Sequence, residues 1–118
     1  MKKRVLICDD EEGVRESLNL ILEKDYDVAF ATNGDEAVKY IKNNPTDLII
    51  LDIKMPKTNG IEALREIKKE RPNIGVVIAT GYQSAEIAEE TIKLGASDYI
   101  TKPFDRKNVL EIIKNCLK

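Results

Sequence analysis

A chain of 118 residues is long enough for one compact domain with a buried core, without disulfides or a structural metal. Its net charge of −2 leaves no basic excess for nucleic acid, and no apolar run reaches membrane-span length. The absence of histidine excludes histidine general bases and most zinc sites. We therefore expect one soluble, cytoplasmic domain over residues 1–118 that binds neither nucleic acid nor membranes directly.

Short apolar runs alternate with amphipathic stretches along the whole chain. The apolar runs predict five strands, over residues 5–8, 26–31, 48–51, 74–79 and 98–101. The amphipathic stretches predict five helices, over 12–24, from the Asn33-Gly34 turn to Asn44, over about 60–70, over 84–94, and from an Asp105 cap through Cys116. In the first of these helices the inward positions are Val14, Leu18, Ile21 and Leu22.

The third predicted strand is apolar at every position, which indicates burial on both faces, as in a central parallel strand. Strict alternation of strands and helices favours an α/β fold: a doubly wound, five-stranded parallel sheet covered by five helices. The two cysteines, Cys8 and Cys116, lie at apolar positions without a CxxC pattern. We expect two small buried thiols there, not a disulfide or a metal site.

Polar side chains follow four of the five predicted strands, and parallel strands bring their carboxyl ends to one edge of the sheet. These side chains are Asp9 and Asp10, Asp52, Thr80, and Lys102. Three converging carboxylates repel one another unless a hard divalent cation lies between them, and Mg²⁺ prefers such oxygen ligands. The sequence therefore predicts a Mg²⁺ site at this edge.

Asp52 ends the central strand and is the natural nucleophile, because an ionised carboxylate can attack phosphorus without a general base. Lys102 and the metal would neutralise charge on the phosphoryl oxygens, and the Thr80 hydroxyl would donate a hydrogen bond to one of them. Each residue alone has another interpretation. Asp9 and Asp10 suit a helix cap, and Asp52 suits a turn before a proline, so the prediction depends on the ensemble.

The same residues identify a family. Over nearly its whole length the chain resembles the receiver domains of bacterial two-component response regulators, and most closely the single-domain, CheY-like regulators of chemotaxis and phosphorelays. The matching segments are Asp9-Asp10, Asp52 with Ile53-Lys54-Met55-Pro56, Gly60, Thr80-Gly81 and Lys102-Pro103-Phe104. Asn59 and Gly81 depart slightly from the usual pattern. The resemblance implies a flavodoxin-like sheet with strand order 2-1-3-4-5.

The resemblance also implies a role for each matching residue. Asp52 would be phosphorylated, Asp10 would bind Mg²⁺ (or Mn²⁺) directly, and Asp9 would bind it through water. The backbone carbonyl of Lys54 would be a further metal ligand, and Lys102 would contact the phosphoryl group. Thr80 would supply a switch hydroxyl, and the Lys102-Pro103 bond would be cis. Tyr99 would be a switch aromatic that rotates inward, although a plain core aromatic remains the alternative.

For partners, the resemblance implies a sensor histidine kinase or a phosphotransfer protein, and a downstream protein target. The kinase would dock at the start of the first helix and beside the last strand. The expected docking residues are Glu12, Gly13, Val14, Ser17, Leu18, Pro103 and Phe104. The output surface would be formed by helix 4, strand 5 and helix 5, in a monomer or a weak, phosphorylation-dependent dimer. We hypothesise that Tyr82 shields the acyl phosphate, so Tyr82→Ala should release phosphate faster than the wild type.

Three rival functions use similar parts. A phosphatase of the haloacid dehalogenase type needs a second Asp two residues after its nucleophile, where this chain has Lys54. A flavin-binding flavodoxin needs a Ser/Thr/Gly-rich loop after strand 1, where this chain is acidic. A degenerate receiver that only docks usually lacks an acidic residue or the lysine. We therefore expect a protein that catalyses only its own phosphorylation and dephosphorylation, and is not otherwise an enzyme.

Overall fold

Five strands form one parallel sheet in the computed structural model, which describes residues 2–53, 60–81 and 85–117. The strand order is β2-β1-β3-β4-β5, and every neighbouring pair is parallel. The strands are β1 Arg4–Cys8, β2 Asp27–Ala31, β3 Leu48–Asp52, β4 Gly75–Thr80 and β5 Asp98–Thr101. The described helices are α1 Glu12–Leu22, α2 Gly34–Asn43, α3 Gly60–Glu70, α4 Ala85–Lys93 and α5 Arg106–Cys116. The predicted fold class and strand order are confirmed.

The central strand, β3, is buried along its whole length, as its unbroken apolar run predicts. Successive residues of a strand point to opposite faces, so each strand contributes to both sides of the sheet. Leu6 and Ile49 lie in a core cluster with α2 and α3, whereas Val5 and Ile50 lie in a second cluster with α1 and α5. The sheet therefore lies between two apolar layers. The buried polar residues of the described strands, Asp52 and Thr80, lie at the carboxyl ends of β3 and β4.

Local hydrogen bonds set the ends of the helices. Asn33 was expected in a turn but is the N-cap of α2, and its side chain accepts the Glu36 N–H. Asp105 caps α5 as predicted, by accepting the Asn108 N–H. Gly95 follows α4 with φ of +109°, a conformation that favours glycine.

Some element bounds differ from the prediction by one or two residues. The first helix ends at Leu22 and not at 24, because the N–H groups of Asp25 and Tyr26 both donate to the Leu22 carbonyl and close a turn there. The second strand begins at Asp27 and the fourth at Gly75, one residue later than predicted in each case. The predicted fourth helix begins at Ser84, which lies outside the described residues.

Both cysteines are described, and neither forms a disulfide. Cys8 is buried as expected, but Cys116 is only half-buried, because it lies in the last turn of α5 where the core layer ends. Within the described part of the chain, no helix has the length and apolar character needed to cross a membrane.

Candidate functional site

The carboxyl edge of the sheet assembles the polar residues that the sequence placed after its strands. Asp9 and Asp10 follow β1, and Lys102 follows β5. Asp52 and Thr80 were expected just beyond their strands, but they are the last residues of β3 and β4. The register pairs Cys8 with Leu51 and Asp52 with Ala79, so the ends of the three central strands are level.

The three carboxylates lie close together. Asp9, Asp10 and Asp52 each offer one oxygen atom, and these atoms lie within 4.8 Å of one another. Asp9 is 1% exposed and Asp52 is 4% exposed, whereas Asp10 is exposed to solvent. The cluster therefore combines two neighbouring buried acids with a third acid that is open to water.

Lys102 places a cation next to these acids. Its Nζ lies 3.3 Å from Asp9 Oδ2 and 3.7 Å from Asp52 Oδ1. The Lys102 N–H donates to the Thr80 carbonyl at 2.9 Å, which ties the chain after β5 to the end of β4. The Lys102-Pro103 peptide is cis, as the family resemblance implied. One ammonium group is thus shared by two buried carboxylates.

Asp9 is held in place through each of its polar groups. Its N–H donates to the Ala31 carbonyl at 3.1 Å, and its Oδ1 accepts the Glu11 N–H at 2.9 Å. Its own carbonyl accepts Nη1 of Arg15 at 2.8 Å. The N-cap residue of α1 is Glu11, and this described residue makes no side-chain capping hydrogen bond. Asp9 therefore supports the start of the helix through the Glu11 N–H, but it also contacts Lys102, so capping alone does not account for its position.

Arg15 was missed by the sequence analysis. It lies in the first turns of α1, where helical side chains lean back toward the N-terminus of their helix and, here, toward the carboxyl edge. The sequence did contain a signal for Arg15: a long cationic side chain in the first turns of a helix that follows an acidic strand end. Its contact with a backbone carbonyl, and not with a carboxylate, requires the three-dimensional structure.

The two expected switch residues are in different environments. Thr80 is buried, and its hydroxyl donates to the Gly81 carbonyl at 3.2 Å. Tyr99 is 40% exposed on β5. The alternative in which Tyr99 is a plain core aromatic is therefore wrong for this conformation.

A groove of about 430 Å³ runs beside the acidic cluster, between α1 and the segment after β5. Most of its lining was expected to contact a kinase. The lining residues are Glu11, Gly13, Val14, Ser17, Ile21, Lys102, Pro103 and Phe104. Glu12 is exposed in the same turn. The prediction that Leu18 contacts a kinase is wrong, because this residue is fully buried in the core beneath the helix and its side chain is not available to a partner. Ile21, from the same helix, lines the groove instead.

Lys54, Asn59 and Tyr82 lie outside the described residues, so the expectations about the Lys54 carbonyl and the Tyr82 shield stay predictions. Burial, together with the charges of Asp9 and Asp52, raises the pKa of the neighbouring Cys8 thiol to about 12. Cys8 therefore stays protonated at neutral pH and donates its S–H to the Asn33 carbonyl at 3.3 Å. A protonated, buried thiol is neither a nucleophile nor a metal ligand.

The donor set fits a hard divalent cation. Carboxylate oxygens from two adjacent residues and a neighbouring strand converge, and the exposed acid leaves room for the water ligands that Mg²⁺ retains. Soft ligands are missing from this arrangement among the described residues, since the Cys8 thiol is protonated and directed at a backbone carbonyl. The cluster can therefore hold a metal ion of the Mg²⁺ or Mn²⁺ type.

Comparisons with known proteins agree with this geometry. The family model for the response regulator receiver domain matches residues 5–114. The chain is 42% identical to the chemotaxis protein CheY of Thermotoga maritima over 120 residues, covering 100% of both chains. It is 36% identical to the sporulation initiation phosphotransferase F of Bacillus subtilis, covering 99% of this chain and 95% of that protein.

Solved structures give the same result. A CheY-like receiver domain protein from Methanospirillum hungatei superposes with a TM-score of 0.92 at 36% identity, covering 99% of this chain and 94% of the other. The receiver domain of NtrX from Brucella abortus superposes with a TM-score of 0.92 at 31% identity, covering 96% and 97% of the two chains. The chain therefore belongs to the response regulator receiver domain family, the CheY-like modules of two-component signal transduction.

Proposed function

We propose that this receiver domain accepts a phosphoryl group on Asp52 from a phosphorylated histidine of a sensor kinase or a phosphotransfer protein. The proposal depends chiefly on one observation. The carboxylates of Asp9, Asp10 and Asp52 lie within 4.8 Å of one another, and the Lys102 amine lies against two of them. Such crowding of like charges costs stability, so its presence favours a site that binds a cation and a phosphoryl group.

The metal we propose is Mg²⁺, with Mn²⁺ as a substitute. Asp10 and Asp52 would hold it directly, Asp9 through a water molecule, and the Lys54 carbonyl would complete the set from the protein. When bound, the ion would neutralise charge on the phosphoryl oxygens and hold them next to Asp52. Asp9 is fixed by backbone and lysine contacts, so it can orient a water ligand without moving.

In the proposed reaction, an oxygen of the Asp52 carboxylate forms a bond to phosphorus as the phosphorus–nitrogen bond of the phosphohistidine breaks. The electron pair of that bond returns to the imidazole ring, and the product is an aspartyl phosphate. The Lys102 ammonium, already 3.7 Å from Asp52 Oδ1, would stabilise negative charge on the transferred group. The same residues would serve hydrolysis of the aspartyl phosphate, so the domain would catalyse only its own phosphorylation and dephosphorylation.

The groove between α1 and Pro103-Phe104 suits the kinase or phosphotransfer protein. It is lined by apolar groups from Val14, Ile21 and Phe104, and it shares Lys102 with the acidic cluster. A partner helix seated there would bring its phosphohistidine beside Asp52. Substitution of Phe104 should therefore slow transfer from a phosphorylated kinase but not from a small phosphodonor. Phe30, which is exposed on the edge strand β2, gives a matched control.

We further propose that phosphorylation shifts the domain between two packings. The Thr80 hydroxyl, which now donates to the Gly81 carbonyl, would turn to a phosphoryl oxygen and draw the chain after β4 inward. Tyr99 would then move from its exposed position into the space vacated and change the surface formed by α4, β5 and α5. Thr80→Ala should therefore accept a phosphoryl group but lose the phosphorylation-dependent binding of a downstream target.

The direct test is incubation with acetyl phosphate, with and without Mg²⁺, followed by intact mass measurement. We expect the mass of the wild type to rise by one phosphoryl group only when Mg²⁺ is present. Asp52→Asn should gain no mass. Asp47→Asn is the matched control, because Asp47 accepts the Arg4 N–H at the opposite edge of the sheet and an amide oxygen can replace it. Equal labelling of Asp52→Asn would refute the proposal.

A further inference from the structure

Arg15 contacts the acidic cluster through the backbone and not through a carboxylate. Its Nη1 donates to the Asp9 carbonyl at 2.8 Å, a short hydrogen bond from a charged donor. Asp9 is 1% exposed, so water has little access to replace that donor. A buried carbonyl that loses its partner is costly, and the backbone would move to avoid that loss.

The carbonyl that Arg15 holds belongs to the peptide between Asp9 and Asp10. Rotation of this peptide plane changes ψ of Asp9 and φ of Asp10 together. The other polar groups of Asp9 are fixed by Ala31, Glu11 and Lys102, so the Asp9 side chain would stay in place. Asp10 is exposed, and the direction of its carboxylate depends on this peptide plane.

The charge of Arg15 would act against metal binding. The Thr32 N–H donates to Glu36 Oε1 at 2.7 Å and lowers the pKa of Glu36, and the positive charge of Arg15 lowers it further. The guanidinium group lies next to the cluster, because its Nη1 donates to the Asp9 carbonyl. A cation at this place repels a divalent ion. Electrostatic repulsion and backbone positioning thus predict opposite effects of removing Arg15.

We propose that Arg15 is a positioning residue for the metal site, and that positioning outweighs repulsion. By holding the Asp9 carbonyl, Arg15 sets the orientation of the Asp9–Asp10 peptide and keeps the Asp10 carboxylate directed at the position of the ion. This inference rests on the proposed Mg²⁺ site. It assigns the strength of that site partly to a residue that contacts neither the metal nor the phosphoryl group.

The test is calorimetric titration of the whole chain with Mg²⁺, for the wild type, Arg15→Met and Arg71→Met. We expect Arg15→Met to bind Mg²⁺ about tenfold more weakly, as is typical when an outer partner of a metal ligand is lost. Arg71→Met is the matched control. It also removes one positive charge and arginine–carbonyl hydrogen bonds, from Nη2 to the Ile41 carbonyl at 2.6 Å and to the Asn44 carbonyl at 3.4 Å, but at the far edge of the sheet. It should bind Mg²⁺ like the wild type.

A kinetic measurement separates positioning from general loss of structure. In Arg15→Met, the Mg²⁺ concentration that gives half the maximal rate of labelling by acetyl phosphate should rise by about tenfold, while the rate at saturating Mg²⁺ stays at the wild-type value. If Arg15→Met does not fold, the same two measurements on Arg15→Gln decide the question, with the same expected direction.

Three results would overturn the inference. They are unchanged Mg²⁺ affinity, tighter binding as repulsion alone predicts, and an equal loss of affinity in Arg71→Met. If the wild type itself bound no Mg²⁺, the proposed function would fail, which is a different outcome from a wild type that binds Mg²⁺ no better than its Arg15 variant. Recovery of affinity in Arg15→Lys, which keeps a donor and a charge, would support positioning.

Discussion

Charged side chains lie at both edges of the sheet, but they are paired at one edge and crowded at the other. At the amino edge, the Arg4 N–H donates to Asp47 Oδ2 at 2.8 Å, Arg4 Nη1 donates to the Tyr40 hydroxyl at 3.1 Å, and Arg4 Nη2 lies 3.8 Å from Asp27 Oδ2. At the carboxyl edge, three carboxylates lie close together, and the ammonium group of Lys102 contacts two of them.

The paired charges at the amino edge stabilise the fold, whereas the crowded carboxylates at the carboxyl edge are suited to binding a cation. Each pair at the amino edge satisfies a backbone or side-chain group and adds a little to stability. The excess negative charge at the carboxyl edge lowers stability until a cation arrives. Equivalent residues at the two edges should therefore respond differently to substitution or modification, and the expected differences follow in order of decreasing size.

The largest difference is expected for the lysines. Lys102→Met should slow labelling by acetyl phosphate at saturating Mg²⁺ by about 10²-fold, the usual loss when one donor to transition-state charge is removed. Lys68→Met should label at the wild-type rate, because Lys68 donates to the Ile74 carbonyl at 2.9 Å near the start of β4. A Lys102→Met protein that labels as fast as the wild type would show that the ammonium group takes no part in transfer.

The next largest difference is expected in the stability of glycine-to-alanine variants at the two edges. A Cβ atom at Gly60 would lie 2.6 Å from the Cα and the carbonyl oxygen of Ile53, directly after β3. Gly60→Ala should lower the free energy of unfolding by about 2 kcal/mol, since rigid backbone must move. A Cβ atom at Gly75, at the amino edge, would be 3.4 Å from its nearest neighbour, Leu48 Cδ1.

Gly75→Ala should therefore leave stability unchanged or raise it by about 0.5 kcal/mol, because alanine loses less backbone entropy in a strand than glycine. Urea unfolding of both variants measures the difference. A Gly60→Ala protein as stable as Gly75→Ala would mean that α3 can move away from β3 at little cost.

Substitution of an aspartate should change the free energy of unfolding in opposite directions at the two edges. Without Mg²⁺, Asp10→Ala should raise the free energy of unfolding by roughly 1 kcal/mol, because it removes one of three mutually repelling carboxylates. Asp47→Ala should lower it by about 1 kcal/mol, because the Arg4 N–H loses its acceptor. Addition of Mg²⁺ should stabilise the wild type but not Asp10→Ala. Destabilisation of the metal-free protein by Asp10→Ala would contradict the idea of crowded charge.

The smallest effect is expected for the cysteines. Cys8 lies at the carboxyl edge with a pKa of about 12, raised from 9.0 by burial and then by nearby carboxylates. Half-burial raises the pKa of Cys116, near the amino edge, and Asp98 raises it further. A thiol reagent at pH 8 should therefore modify Cys116 first and Cys8 only on unfolding.

The Cys8 shift also predicts a dependence of stability on pH. In the unfolded chain the thiol ionises near pH 9, whereas the folded protein retains the proton up to about pH 12. The stabilisation from Cys8 is therefore fully present below pH 9 and is lost as the pH rises from about 9 to 12. Cys8→Ala should lose less stability than the wild type over that interval, as measured by urea unfolding. Parallel curves would exclude the raised pKa.

The sequence predicted the fold because its strongest signals are local. The unbroken apolar run of β3 and the helical spacing on both sides leave little choice of architecture, and polar residues at strand ends must then meet at one edge. Asp52 and Thr80 were placed one residue outside their strands, because the change from apolar to polar side chains was read as the end of each strand. The backbone pairing between strands in fact includes both residues.

Two errors of the sequence-based prediction concern Leu18, which was misassigned, and Arg15, which was missed. Leu18 was assigned to a docking surface, although its place on the inward stripe of the first helix already indicated burial, and it is fully buried. Arg15 escaped notice because its partner is a backbone carbonyl, and no residue pattern reports which way a peptide plane faces.

The most direct test of the central claim is a crystal structure with Mn²⁺ in place of Mg²⁺, since its anomalous scattering locates the ion without ambiguity. We expect one ion in octahedral coordination, with oxygens of Asp10 and Asp52 at about 2.1 Å, a water ligand shared with Asp9, and the Lys102 amine beside Asp52. A structure at saturating Mn²⁺ with no ion between Asp10 and Asp52, or with Lys102 turned away from Asp52, would contradict the account.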